Sequence, residues 1–153
     1  MINPVKSWSV YLSGEIHSDW RQQIADGIRE AGLPVTLCGP VTDHDASDDC
    51  GVEILGQETQ PFWKDHKGAG INAIRTRSLI SQADVVVVRF GDKYRQWNAA
   101  FDAGYAAALG KPIITLHAPE HTHALKEVDA AALAVAQRPE QVVQILAYVT
   151  NKV

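Results

Sequence analysis

The stretch DVVVVRF, Asp84–Phe90, restricts the possible folds of this chain more than any other. Its consecutive valines show no polar alternation, so a strand built from them must be covered on both faces. Strands of that kind belong to parallel sheets, whose crossover connections lay helices over either side. The flanking segments agree. Before it, INAIRTRSLISQA (Ile71–Ala83) sets Ile71, Ile74, Leu79 and Ala83 at helical spacing. After it, Asn98–Leu109 reads as a helix stopped by Gly110, and KPIITL (Lys111–Leu116) as the following strand.

The same alternation extends in both directions. WSVYLS (Trp8–Ser13) is a first strand, and the next segment carries Trp20, Ile24, Ile28 and Ala31 on one helical face. Ser18 or Asp19 would cap that helix, and Gly32 would end it. LPVTLCGP (Leu33–Pro40) is a second short strand, ALAVA (Ala132–Ala136) a fifth, and RPEQVVQILAYVTNK (Arg138–Lys152) a closing amphipathic helix. Val41–Gly70 holds no period and is rich in Asp, Gly, Pro and Thr; it reads as a long ordered loop with one helical turn near Gly51–Leu55. Strands alternating with helices predict an α/β three-layer sandwich: a five-stranded parallel sheet in the flavodoxin-like order 2-1-3-4-5. The whole chain, 1–153, is expected to form one domain.

Composition narrows the function. The net charge of −4 and the pI near 5.8 argue against a nucleic-acid-binding face and against an anionic membrane surface. No apolar stretch is long enough to span a bilayer, and Met1–Ser7 lacks the apolar core of a signal peptide. Cys38 and Cys50 lack metal-ligand spacing and read as idle thiols. A cytoplasmic protein acting on a small molecule is expected.

In an open parallel sheet, ligands bind beyond the carboxyl ends of the strands where the winding reverses. Here that is the end of the first and third strands, where Ser13, Gly14 and Glu15 meet Gly91 and Asp92. Asp102 interrupts the small, apolar helix that leaves the third strand. Read as a first-turn residue, it would be favoured in its ionised form by about 0.3–1 kcal/mol from the helix dipole. A shielded carboxylate at such a point is a candidate nucleophile for glycosyl transfer; a helix-start acid satisfying backbone N–H groups is the plainer alternative.

FDAGYAAALGKPIITL (Phe101–Leu116) resembles nucleoside 2-deoxyribosyltransferase-like proteins, in which an acid precedes Gly-Tyr-Ala and a Gly-Lys-Pro turn leads into a strand. VYLSGE (Val10–Glu15) resembles that superfamily's opening strand and its tyrosine-containing Gly loop. Beyond these motifs, YLSGEIHSDWR, GP followed by HDASD, INAIRTRSL and FGDKYRQWNAAFDAGYA are similar to the bacterial YtoQ family nearly end to end. The resemblance implies that Asp102 attacks the anomeric carbon of a sugar and that Tyr11, Ser13 and Gly14 line the substrate site. It also implies a homo-oligomer, because the transferases complete their sites with neighbouring subunits. Where those enzymes usually carry glutamate this chain has Asp102, whose oxygens fall about 1.5 Å short of the same reach. Their acid in the helix before the third strand is replaced by Arg75-Thr76-Arg77, which favours hydrolysis at least as much as base exchange.

The remaining candidates surround the same place. Glu15 could bind sugar hydroxyls or relay a proton, and His17 could contact ligand or serve only at helix entry. Arg75 and Arg77, if their helix folds over the mouth, would favour a phosphate. Lys93, Tyr94, Arg95 and Trp97 form a basic, aromatic loop in which Tyr94 or Trp97 could stack on a base, and Asn98 completes the substrate-binding set. The acids between Asp43 and Asp49, with His44, lack calcium-loop spacing and read as a solvated turn. His117, His121 and His123 read as loop residues without a zinc pattern. No dinucleotide glycine pattern, phosphate-binding loop or serine nucleophile elbow is present, so neither metal nor organic cofactor is expected. The leading expectation is cleavage or transfer of an N-glycosidic bond of a nucleoside or nucleotide; the alternative is a non-catalytic nucleotide-binding or sensing module.

Overall fold

The computed structural model describes residues 5–151, so Lys152, at the end of the expected last helix, lies outside the described residues. Five parallel strands, β1 (Trp8–Gly14), β2 (Val35–Cys38), β3 (Val85–Phe90), β4 (Ile113–His117) and β5 (Ala134–Ala136), form one sheet in the order β2-β1-β3-β4-β5. Every pairing is parallel, and the winding reverses between β1 and β3, where Ser13 lies opposite Val88 and Gly14 opposite Arg89. The sequence-derived topology and strand order hold.

Alternation along the strands divides the core. Val10, Leu12, Val85, Val87, Ile114 and Leu116 face α1 (Trp20–Glu30) and α6 (Pro139–Thr150), which contribute Trp20, Ile24, Ile28, Val142 and Leu146. Tyr11, Val86, Val88, Phe90 and Ile113 face the other side, against Ile80 of α3 (Pro61–Gln82) and Ala99, Ala103 and Ala106 of α4 (Trp97–Ala108). The small alanines let α4 lie close to the sheet. A period of two then puts Tyr11 and Ser13 beneath α4 rather than α1.

The segment Val41–Gly70 is not a loop. It holds α2 (His44–Leu55) and the first half of α3, which begins at Pro61 instead of Ile71. Asp43 caps α2 by accepting from the Ala46 N–H at 2.9 Å, and Pro61 starts α3, where its missing N–H costs nothing. The expected turn at Gly51–Leu55 is the last part of α2. The pattern of large apolar residues fails here because the helices meet through small ones: a Cβ on Gly51 would lie 2.4 Å from the Gly68 nitrogen. Asn72 Nδ2 ties the pair by donating to the Ser47 and Gly68 carbonyls, each at 2.9 Å. Gly51→Ala is therefore expected to prise α2 from α3 and cost about 1–3 kcal/mol, read as a lower urea midpoint; an unchanged midpoint would contradict this contact.

Other sequence expectations shift too. Ile74, placed on a buried face by its spacing, is 74% exposed, because α3 turns that side away from the sheet. The acids from Asp43 to Asp49 cap and decorate α2 instead of forming a turn, with Asp48 3.4 Å from His44 Nδ1. His117 is no loop residue: it ends β4, is buried, and bonds through Nε2 to Asp129 Oδ2 at 2.8 Å. Asp129 comes from a short helix absent from the sequence reading, α5 (Lys126–Ala131), and also accepts from the buried Thr115 hydroxyl at 2.8 Å.

Candidate active site

At the carboxyl end of β1, Ser13 is fully buried and its Oγ donates to Asp102 Oδ2 at 2.6 Å. Asp102 Oδ1 makes no hydrogen bond to a described residue. Asp102 is the sixth residue of α4 and lies in its second turn, because the helix starts at Trp97, one residue earlier than expected. The helix dipole fades within the first turn, so it does not hold this carboxylate ionised. Burial instead pushes the Asp102 pKa above the usual carboxylate range, and the Ser13 hydroxyl pulls it back. Beside it lies Tyr11, whose buried hydroxyl has no hydrogen-bond partner among the described residues. Burial pushes that phenol to about 12; Thr76 acts in the opposite direction without meeting hydrogen-bond geometry, and the Asp102 charge raises it further.

The loop from β1 to α1 is held open by its own polar groups. Gly14 has φ +113°, a conformation left to glycine, and a Cβ there would lie 2.1 Å from the Arg89 carbonyl oxygen. Glu15 is buried: Oε1 accepts from the His17 N–H, Oε2 accepts from Ser18 Oγ at 2.5 Å, and Arg89 Nε stands 4.0 Å away. Its side chain lies over Gly91, where a Cβ would come within 2.6 Å of Glu15 Cγ. Arg21, which no sequence signal singled out, fixes the strand end by donating to the carbonyls of Leu12 (3.0 Å), Gly14 (3.2 Å) and Glu15 (2.6 Å). Burial lowers its pKa to about 10.

The loop from β3 to α4 forms the facing rim. Tyr94 adopts a positive φ of 58° and sets its ring 4.9 Å from that of His17, so the two loops touch. Gln96 braces the turn, accepting from the Gly91 N–H at 3.0 Å and donating to the Lys93 carbonyl at 2.7 Å. Its role is invisible in sequence, since any polar residue fits the pattern. Trp97 and Asn98 open α4 with exposed side chains.

Between these loops and α3 lies a cavity of about 1000 Å³, at the upper end of small-molecule sites. It brings together Gly14, Glu15, His17, Arg75, Tyr94, Trp97, Asn98 and Asp102 from the sequence-derived set. Tyr11 and Ser13 form the buried layer beneath Asp102 and Gly91 supports Glu15; none of the three lines the cavity. Asp92 does not line it either, because its carboxylate turns to His121 at 3.0 Å. The α2–α3 hairpin supplies a wall the sequence reading missed, including Ser47, Asp65, His66 and Asn72. Among the described residues no group of three or more His, Cys, Asp or Glu side chains is placed to hold a metal ion, and no helix is long and apolar enough to cross a membrane.

The comparisons with known proteins agree on the 2-1-3-4-5 fold and name a family. The chain belongs to the family described as nucleoside 2-deoxyribosyltransferase YtoQ, whose model matches residues 11–150. The uncharacterized protein YtoQ of Bacillus subtilis (strain 168) is 43% identical over 139 residues, covering 91% of this chain and 94% of that protein. Among solved structures, a conserved protein from Enterococcus faecalis V583 superposes with a TM-score of 0.65 at 13% identity, covering 94% of this chain and 99% of that one. A 2-deoxyribosyltransferase from the psychrotolerant bacterium Bacillus psychrosaccharolyticus superposes at 0.53 with 15% identity, covering 88% and 90%. These structural likenesses show a shared fold.

Proposed function

We propose that the chain cleaves or transfers the N-glycosidic bond of a nucleoside or nucleotide, with Asp102 as the carboxylate that attacks the anomeric carbon. The observation that carries this reading is the Ser13–Asp102 pair: one carboxylate oxygen is held at 2.6 Å while the other, at the cavity wall, has no hydrogen-bond partner among the described residues. The family's description supplies the reaction class. Asp102 Oδ1 forms a bond to the anomeric carbon as the carbon–nitrogen bond breaks, and the bonding electron pair leaves with the base, which takes up a proton. Water then attacks the same carbon, loses a proton to solvent, and frees the carboxylate; a second base in place of water gives exchange. Glu15 accepts from sugar hydroxyls, and Tyr94 or Trp97 covers the base. The exposed side chains of Ile74, Trp97 and Phe101 support a homo-oligomer as the working form.

Purified protein incubated with common ribo- and deoxyribonucleosides and their 5′-monophosphates is expected to release free base, separable by chromatography. No free base and no exchanged nucleoside after prolonged incubation would refute the reading. Its acid–base behaviour gives a finer check. The nucleophile must be ionised, so the acid limb of kcat/KM is expected above the ordinary carboxylate range. Ser13→Ala removes the donor that stabilises the charged form and is expected to move that limb to higher pH. An unmoved or lowered limb would contradict the coupling.

A further inference from the structure

We infer that the site takes a pentose that carries a phosphate, so that its substrate is a nucleoside phosphate rather than a free nucleoside. This deepens the proposed glycosyl chemistry and rests on it for the identity of the sugar. The phosphate follows from where guanidinium groups are left without a carboxylate partner. In a chain of net charge −4, six cations of the described residues are matched by a carboxylate, in Lys6–Asp84, Arg29–Asp26, Lys64–Asp49, Lys67–Glu58, Arg89–Glu15 and Arg138–Glu140. Arg21 and Lys111 are instead engaged with backbone carbonyls. Arg75, Arg77 and Arg95 have no carboxylate partner among the described residues, and all three line the cavity. Lys93, also unmatched, belongs to the same loop as Arg95; apart from Arg21 and Lys111, Lys126 is the one other unmatched cation among the described residues.

No carboxylate of the described residues stands within ion-pair distance of these three arginines. Asp48 lies 3.4 Å from His44 Nδ1, Glu15 accepts within its own loop with Arg89 Nε 4.0 Å away, and Asp65 is on α3 but ten residues before Arg75, about 15 Å along the axis. Asp102 is the group that the proposed chemistry directs at the anomeric carbon. The guanidinium groups are also well placed. Arg75 and Arg77 flank Thr76, the residue that acts on Tyr11 beside Asp102, and both line the cavity. Arg75 uses one nitrogen to donate to the Gly39 carbonyl at 3.2 Å, which anchors the side chain and leaves its other donors free. Arg95 reaches the cavity from the opposite rim, next to the start of α4, whose positive end adds to the attraction. A planar guanidinium matches phosphate through paired donors, and two walls bearing such groups suit one phosphate between them.

The test measures kcat/KM for matched pairs of nucleoside and 5′-monophosphate at low and high salt, on the unaltered protein and on the Arg75→Ala, Arg95→Ala double variant. Ribose 5-phosphate and inorganic phosphate serve as competitors. The monophosphate is expected to be preferred by about 10–100-fold, the worth of one or two charge-assisted bonds. The preference should shrink as salt rises and collapse toward unity in the double variant, with ribose 5-phosphate competing better than inorganic phosphate. If no base is released from either compound, calorimetry on the same pairs reads the preference as binding: a monophosphate bound more tightly than its nucleoside upholds the phosphate site and removes the glycosyl chemistry. Equal use of nucleoside and monophosphate, insensitive to salt, overturns the phosphate site and leaves the glycosyl chemistry standing. Neither bound nor cleaved overturns both.

Discussion

Asp102→Asn is expected to lower base release by at least about 10³-fold, the scale on which removal of a nucleophile acts, without lowering stability. The amide oxygen can still accept from Ser13, so the 2.6 Å contact survives while nucleophilicity is lost. The stability half of this expectation follows from the direction of the pKa shift. Burial raises the folded-state pKa of Asp102 above its unfolded value. The folded protein therefore binds more protons in the window between the two values, and stability falls as pH rises through it. Above that window the cost of the buried charge is fully present, and the neutral amide escapes it. At neutral pH the variant should melt at an equal or higher temperature than the parent, and the two melting curves should converge in acid. A variant that keeps its activity would remove Asp102 from the chemistry; one that melts lower at neutral pH would contradict the burial cost.

Gly14→Ala is expected to have the largest effect on stability of any single methyl group added to the chain. Two independent costs act together. The backbone at φ +113° is strained for any residue with a Cβ, and the added carbon would lie 2.1 Å from the Arg89 carbonyl oxygen. The clash is with backbone, so no rotamer change relieves it. The same oxygen accepts from the Glu15 N–H at 3.2 Å, so the end of the β1–β3 ladder must open. A loss of about 3 kcal/mol or more is expected, read from urea or thermal unfolding. Where the variant folds, the shift of Ser13 and Glu15 should cost activity as well, since a displacement of about 1 Å can lower a rate about a hundredfold. Parent-like stability would show that β1 and β3 do not approach as closely as described.

Some of this arrangement can be read from the residues alone. The valines of β3 and the i, i+4 spacing of Trp20, Ile24 and Ile28 report burial directly, because large apolar side chains have one energetically acceptable place to go. The strand order and the meeting of Ser13, Gly14 and Glu15 with the loop after β3 follow from the rules of parallel connection. The α2–α3 hairpin escapes such reading because it packs through Gly51, Gly68 and the amide of Asn72, and hydrophobic periodicity does not register glycine or hydrogen bonding. Polar partnerships that depend on tertiary placement are equally hidden. Arg21 gathering the carbonyls of β1, Asp129 reaching His117, and Asp92 turning to His121 each join residues whose sequence separation carries no motif. Asp102 itself is instructive: its position was legible but its electrostatics were not, because at the sixth helical position the dipole has faded and burial, which depends on tertiary packing, sets the sign.

The most direct measurement is mass spectrometry of the protein after reaction with a 2-fluoro-2-deoxyribosyl nucleoside or its 5′-phosphate, in which the fluorine slows release of a glycosyl–enzyme bond. If the carboxylate oxygen left free above Ser13 is the group that takes the sugar, the fragment containing Asp102 gains the mass of the fluorinated pentose and the Asp102→Asn fragment gains nothing. Release of base with that fragment unmodified, or modification at another residue, would contradict the account.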